Sequence, residues 1–172
     1  VEIEALLSMS LSNTPMSGAR ISVTSGNFVV ARPLGVRDGV DYQHTGEVRR
    51  IEGEAIQQHL ADRRIVLLSP LGYSPTGEVF NLSAGEIATA AAAQLQADKL
   101  VILTEGKTLR DTRRRLIAQL TLDECTKLLK SKRRLPEDTR QHLQHAMQAC
   151  RHGVGRVHIL DRNTNGALLL EL

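Results

Sequence analysis

Aromatic side chains are almost missing from this 172-residue chain, which has no tryptophan, two tyrosines and two phenylalanines. Proteins that bind single-stranded nucleic acids usually stack the bases on aromatic rings, so this composition argues against that class. Alanine and the aliphatic residues must instead fill the interior. With 41% hydrophobic residues, the chain is long enough for one domain with a sizeable core.

Cysteine is scarce as well. Cys125 and Cys150 belong to no CxxC motif and to no Cys/His spacing typical of metal sites. We therefore expect free thiols in a reducing compartment, with no metal and no cofactor bound by this chain. The sequence also has no apolar run long enough to cross a bilayer and no signal peptide, which predicts a cytoplasmic protein without membrane contact.

The net charge of +3 is unevenly distributed along the chain. Residues 107–134 contain ten Lys or Arg and three acidic residues, a net charge of +7, which leaves −4 for the remainder. A segment of this kind suits a polyanion such as RNA, or it forms a solvated surface of helices and loops. The second interpretation is the simpler one, and both stay open at this point.

Two apolar runs flank an alanine-rich helix in the middle of the chain. Ile65–Leu68 and Val101–Leu103 lack polar alternation, as is typical of strands buried on both faces. Between them, Ser83 and Glu86 have the spacing of a capping box at the start of the helix. We predict adjacent parallel strands joined by a right-handed crossover, with a loop at residues 69–83 that lies at the ligand-binding end of the sheet.

The rest of the chain alternates helices with short strands. Helices are predicted at Glu2–Leu11, Ala55–Leu60 and Thr121–Lys130, and a further helix begins at Pro136 and ends before the stop residue Gly153. Strands are predicted at Ile21–Val23, Phe28–Ala31, Gly46–Ile51 and Val157–Leu160, and a loop with three glycines at Pro33–Gly46. This alternation predicts an α/β fold, here a three-layer αβα sandwich with a mainly parallel sheet. Because the apolar run Ala167–Leu172 stops abruptly, we expect the chain to continue in a longer protein.

Four segments carry a family resemblance: SMSLSNTP (8–15), SGNFVVARPLGVRDGVDYQHTGEVRRI (25–51), EVFNLSAGEIAT (78–89) and GVGRVHILDRNTNGALLLEL (153–172). In these segments the chain resembles the amino-acid-kinase-like domain of bacterial N-acetylglutamate synthases, the amino-acid N-acetyltransferases of arginine biosynthesis. The resemblance implies an amino-acid-kinase fold, similar to carbamate kinase and truncated at both ends. It also implies that residues 1–172 are a partial regulatory domain. The acetyltransferase domain, which uses acetyl-CoA and L-glutamate, would lie outside this sequence.

The same resemblance implies a vestigial kinase site. Asn81 matches the asparagine that holds the acylamino acid in the related kinases, Gly85 replaces their organising aspartate, and His142 replaces one of their lysines. Glycine has no carboxylate, and an imidazole is not a permanent cation. We therefore expect no catalytic residue in this segment. A fragment of a true acetylglutamate kinase is the alternative, and Asn81 is also readily explained as a turn or cap residue.

An allosteric site for L-arginine is the other implication. In arginine-sensitive kinases of this fold, a strand histidine and a glutamate thirteen residues later line the inhibitor pocket, and His158 and Glu171 have that spacing. A carboxylate can accept parallel hydrogen bonds from a guanidinium group. On spacing alone, the simpler interpretation is a hydrogen-bonded histidine at a strand end and a solvated glutamate on a short terminal helix. The family further implies a homo-oligomer, a hexamer, in which this domain contacts its own acetyltransferase domain.

Overall fold

The computed structural model describes residues 2–8, 21–105, 109, 117–131 and 134–169. The chain divides into two compact units, residues 1–87 and 88–172, and the boundary lies within a helix, α3 (Ala84–Gln94). The predicted first helix begins at Glu2 as expected, while residues 9–11 of that prediction lie outside the described part.

Unit 1, residues 1–87, is made of short strands and helices. In chain order they are α1 (Glu2–Ser8), β1 (Val23–Ser25), β2 (Val29–Pro33), β3 (Val36–Arg37), β4 (Val40–Asp41), β5 (Gly46–Ile51), α2 (Gly53–Ala61), β6 (Ile65–Leu67), β7 (Leu71–Tyr73) and β8 (Val79–Asn81). The predicted strand Gly46–Ile51 is confirmed at both ends, and it lies at the edge of a sheet as expected.

A four-stranded sheet in the order β5-β2-β7-β8 is the centre of unit 1. The β2/β5 and β7/β8 pairs are antiparallel, whereas β2 and β7 are parallel. The apolar side chains on one side of this sheet and at the ends of its strands are almost completely buried: Phe28, Val29, Ala31, Ile51, Phe80 and Leu82. Close packing at the sheet therefore fixes the alignment of these strands.

Two segments predicted as loops contain hairpins. Within residues 33–46, β3 and β4 pair antiparallel across Asp38-Gly39, whose φ angles are 53° and 79°. Positive φ at both central residues is the geometry of a tight hairpin turn, for which Asp-Gly is a favoured sequence. Within residues 69–83, β7 and β8 form a second antiparallel pair. The loop predictions are wrong at these strands because two- and three-residue strands leave almost no alternation pattern.

In unit 2, residues 88–172, the described residues form one parallel strand pair and helices. Beyond the end of α3 its elements are β9 (Lys99–Thr104), α4 (Leu122–Lys130), α5 (Glu137–Arg151) and β10 (Arg156–Asp161). The two strands pair in parallel along their whole length, from Arg156 opposite Lys99 to Asp161 opposite Thr104. Helix α5 packs against both strands and against α4.

The helix boundaries of unit 2 agree with the predictions. Thr121 caps α4 in a complete capping box: its side chain accepts from the backbone N–H of Glu124, and the Glu124 carboxylate accepts from the Thr121 N–H at 2.8 Å. Pro136 precedes the first turn of α5, and Gly153, at φ 101°, follows its end. Local capping and stop residues therefore determine these ends.

The predicted pairing between the two central apolar runs is wrong. Strand β6 pairs with β1, and β9 pairs with β10, each in a two-stranded sheet of the described residues. An apolar run indicates that a segment is a strand, but it does not indicate which of the other strands will pair with it. Burial on both faces is also wrong, since Ile65 is 40% and Leu103 is 50% exposed. Each of these strands has one strand partner, so part of its surface remains accessible.

The capping box predicted for α3 is half formed. The Ser83 hydroxyl accepts from the Glu86 N–H at 3.4 Å, but the Glu86 carboxylate accepts from the backbone N–H of Val48 in β5 at 3.0 Å. A tertiary contact thus replaces the local one. Strands and helices in both units confirm the α/β class, with parallel and antiparallel pairs. No helix in the described ranges is long and apolar enough to cross a membrane.

Candidate functional site

A cavity of about 760 Å³ lies within unit 2, among α4, α5, β10 and the end of β9. Its volume falls in the range of sites for small molecules, about 300–1,000 Å³. Both polar and apolar side chains line it. The cavity is therefore a candidate binding site, and its walls follow from the two helices and the parallel strands.

One face of α5 forms a wall of this cavity. Its side chains fall into two rows of residues four apart, Asp138, His142, Ala146 and Cys150 in one row, and Thr139, Leu143 and Met147 in the other. Residues at this spacing share one side of a helix. The face grades from polar to apolar along the helix: Asp138 is exposed, His142 is half-buried, and Met147 is buried.

The apolar end of this wall is part of a core. Leu143 and Met147 pack with Cys125 of α4, and all three are buried. Burial is also the main reason that the thiol pKa values of Cys125 and Cys150 are raised. Both cysteines are free, and a raised pKa keeps a thiol protonated and weakly nucleophilic. They fit as apolar wall residues better than as nucleophiles.

The opposite wall is the strand β10. His158 lies opposite Val101 in the register with β9, and it is half-buried on the cavity side of unit 2. Thr104 and Asp161, at the carboxyl ends of the two strands, also line the cavity, and the Thr104 hydroxyl donates to the Leu160 carbonyl at 3.3 Å. Polar groups thus collect where the parallel strands end, a frequent place for ligands in α/β proteins.

Acidic residues outnumber Lys and Arg among the described residues that line the cavity. Among the described lining residues, Glu105, Asp138 and Asp161 are acidic, while Arg156 is basic. Glu105 forms an ion pair with Arg162, and the Asp161 carboxylate accepts from the backbone N–H of Asn163 at 2.9 Å. Asp138 is the lining carboxylate that precedes His142 by one helical turn. Carboxylates next to hydroxyl groups and imidazoles can recognise a small cationic, polar molecule.

The structure brings two of the five predicted site residues together. His142 and His158 line the same cavity of unit 2. Asn81 ends β8 in unit 1, where its N–H donates to the His44 carbonyl at 2.7 Å, and Gly85 lies in the first turn of α3. Glu171 lies outside the described residues.

The basic segment is described only in part. Lys127 and Lys130 belong to the last turn of α4, where positive charge suits the helix C-terminus, and Arg134 is exposed. Seven of its ten basic residues, Lys107, Arg110, Arg113, Arg114, Arg115, Lys132 and Arg133, lie outside the described residues.

Asp138 and Thr139 were not among the predicted site residues. The sequence did contain a signal for them, because they continue the same helical face as Leu143, Ala146, Met147 and Cys150 toward the start of α5. An apolar stripe at this spacing is typical of a core. The structure adds that the stripe opens into a cavity at its polar end.

The chain belongs to the amino acid kinase family, whose model matches residues 1–161. The α/β fold and the parallel pair with polar groups at its carboxyl end fit that class. Within it, the chain is similar to amino-acid acetyltransferases. It is 51% identical to the enzyme of Ralstonia nicotianae over 172 residues and 51% identical to that of Ectopseudomonas mendocina over 173 residues. The match covers 100% of this chain but 38% and 39% of those relatives.

Solved structures agree with this similarity. The N-acetylglutamate synthase of Neisseria gonorrhoeae, in complex with coenzyme A and L-arginine, superposes with a TM-score of 0.87 at 35% identity, over 98% of this chain and 39% of that chain. The carbamate kinase of Giardia lamblia, bound to AMP-PNP, has a TM-score of 0.64 at 14% identity over 88% of this chain and 59% of that one. The latter likeness concerns the fold alone.

Proposed function

We propose that this chain is the kinase-like regulatory and assembly domain of an N-acetylglutamate synthase. The observation that carries the proposal is the 51% identity to amino-acid acetyltransferases over the whole chain. In this proposal the complete protein transfers the acetyl group of acetyl-CoA to L-glutamate, the first step of arginine biosynthesis. Its acetyltransferase domain lies outside residues 1–172, and this segment contributes no catalytic residue.

The ligand of the regulatory domain is L-arginine, bound as a feedback inhibitor. The gonococcal structure, solved with L-arginine, supports this choice, as does the surplus of carboxylates among the described lining residues of the cavity in unit 2. His158 would orient the amino acid from β10, and Glu171 would accept from the guanidinium group. Inhibition requires that L-arginine bind two arrangements of the complete enzyme unequally, because a ligand with equal affinity shifts no equilibrium.

A working acetylglutamate kinase is the second candidate, favoured by the match to the amino acid kinase family. Phosphoryl transfer depends on neutralising charge around the moving phosphate. Gly85 and His142 stand where the resemblance leads us to expect an aspartate and a lysine. Among the described residues that line the cavity beside His142, acidic side chains outnumber Lys and Arg. The proposal therefore assigns Asn81, Gly85 and His142 to a vestigial kinase site without phosphotransferase activity.

The remaining parts of the proposal concern assembly and location. The domain would contact its own acetyltransferase domain in a homo-oligomer, a hexamer, in the cytoplasm. The basic residues between 107 and 134 would form a solvated surface, without a nucleic-acid partner. Measuring the mass of the native polypeptide tests for the acetyltransferase domain, since the proposal requires a polypeptide much heavier than the 18.9 kDa of this chain.

The central experiment measures L-arginine binding and inhibition in the complete protein. We expect formation of N-acetylglutamate from acetyl-CoA and L-glutamate, inhibited by L-arginine. His158→Ala and Glu171→Ala should each weaken L-arginine binding at least tenfold by calorimetry, because each removes a polar contact in a partly enclosed site. His44→Ala, an exposed histidine of unit 1, is the matched control.

Two outcomes would contradict the proposal. Unchanged affinity in Glu171→Ala would remove that residue from the site. ATP-dependent phosphorylation of N-acetylglutamate by the complete protein, without acetyl transfer, would establish the kinase instead.

A further inference from the structure

His142 and His158 reach one cavity from different elements, the helix α5 and the strand β10. The first belongs to the vestigial kinase site in our assignment and the second to the proposed arginine site. Since both side chains line one cavity, a ligand held by His158 shares that cavity with the side chain at position 142. A charge at position 142 therefore faces the space in which such a ligand would lie.

The surroundings of His142 indicate which charge is tolerated. Asp138 lies one helical turn earlier on the same face of α5, and Arg156 is the one Lys or Arg among the described lining residues. Arg156 is exposed, whereas His142 is half-buried. A permanent cation at the half-buried position would repel a cationic ligand, and it would do so more strongly than an exposed one because solvent screens it less.

We propose that His142 and Asp138 determine the charge selectivity of this cavity: an imidazole instead of an ammonium group at 142, next to the carboxylate at 138, admits a basic amino acid. The inference rests on the proposed arginine site and assigns residues to it that spacing alone did not. Position 142 thereby changes its role, from a place where a phosphate is neutralised to a place where a guanidinium or ammonium group is accepted.

The test compares a charged and a neutral probe of almost the same shape, L-arginine and L-citrulline, by calorimetry on the complete protein. Wild type should bind L-arginine at least tenfold more tightly than L-citrulline. His142→Lys should weaken L-arginine about tenfold or more and leave L-citrulline within threefold. His142→Gln, which is polar and uncharged, should keep L-arginine within threefold of wild type.

A matched control shows whether the position of the added charge matters or only the added charge itself. Gln141 is the next residue of α5, is exposed and does not line the cavity. Gln141→Lys adds the same charge to the same helix and should leave both affinities within threefold. If His142→Lys behaves like Gln141→Lys while wild type still binds L-arginine, the inference is overturned and the proposed function stands.

A second pair of variants covers the case in which His142→Lys does not fold. Asp138→Asn should weaken L-arginine about three- to tenfold without affecting L-citrulline. Glu137→Gln, which removes a charge from the same first turn outside the cavity lining, should leave both unchanged. Equal effects of these two variants would overturn the inference. Absence of L-arginine binding to wild type would overturn the proposed function and, with it, this inference.

Discussion

The two units differ in how completely they fill their interiors. In unit 1 the sheet leaves no room beside Gly72, since a Cβ atom there would lie 2.6 Å from Leu82 Cδ1 and 2.7 Å from the Ala31 Cβ. In unit 2 a cavity of about 760 Å³ separates the start of α5 from β10. Protein interiors are normally packed as densely as organic crystals. An opening beside polar groups is therefore more informative about function than a filled core.

The two units also differ in the residues at these places: buried apolar side chains in unit 1 and half-buried histidines in unit 2. Apolar side chains of unit 1, such as Phe80 and Val29, are buried in a mixed sheet and hold strands from distant parts of the chain in register. In unit 2 the half-buried His142 and His158 occur where packing is incomplete. We infer that the first unit mainly provides a rigid framework and that the second carries the ligand contacts of the proposed function.

The largest expected effect compares a filled core with the edge of a cavity. Ile56 in α2 is 2% exposed and Leu143 in α5 is 4% exposed. Ile56→Ala should cost about 4 kcal/mol of local stability, since a new void remains in a filled core. Leu143→Ala should cost about 2 kcal/mol, because it enlarges an opening that already exists. Hydrogen exchange of peptides from each unit in the complete protein measures both values, and equal losses would contradict the comparison.

The next effect tests the close packing at the sheet of unit 1. Gly72→Ala should destabilise that unit by about 1–3 kcal/mol, because the added methyl group collides with Leu82 and Ala31. Gly77, at φ 88° with nothing within 4 Å of its Cβ position, is the control. Gly77→Ala should cost about 1 kcal/mol from backbone strain alone. Thermal unfolding of both variants separates collision from strain, and a smaller loss for Gly72→Ala would refute the packing argument.

Local sequence signals predicted the helices of unit 2 well. Thr121 with Glu124, Pro136 and Gly153 act through neighbouring backbone groups, so the ends of α4 and α5 could be deduced without the tertiary structure. The edge strand Gly46–Ile51 was equally clear. The α/β class follows from the same alternation of elements.

Strand pairing could not be predicted from the same signals. Nothing in the apolar run at Ile65 selects Val23 as its parallel partner, because the choice depends on residues about forty positions apart. Glu86 illustrates the same limit for side chains: its spacing from Ser83 suggests a local cap, but Val48 N–H competes for the carboxylate.

The site residues stay predictions, and the structure adds where two of them lie. The resemblance identified His142 and His158 separately, and their shared cavity became visible only with the packing of α5 beside β10. Asp138 needed the same information, since its helical face reads as core in the sequence.

The smallest expected effect is on the stability of α4, whose capping box is complete, whereas that of α3 is half formed. Glu124 is exposed, and its pKa is lowered from its usual 4.5, mainly by the hydrogen bond from the Thr121 backbone and then by the Thr121 hydroxyl. A lowered folded-state pKa means that this stabilisation of α4 is fully present above about pH 4.5 and is lost as the pH falls through the folded-state value.

Glu124→Gln keeps the shape of the side chain and does not titrate. We therefore expect the α4 amides of wild type to exchange more slowly than those of the variant at pH 6, after correction for intrinsic rates. The difference should shrink as the pH falls through the folded-state pKa of Glu124 and the carboxyl group of wild type becomes protonated. Peptides from α3 serve as the internal control, since the Glu86 carboxylate accepts from Val48 of β5 and does not cap its own helix. A difference in α4 that does not change with pH would mean that the capping carboxylate acts through its shape and not through its charge.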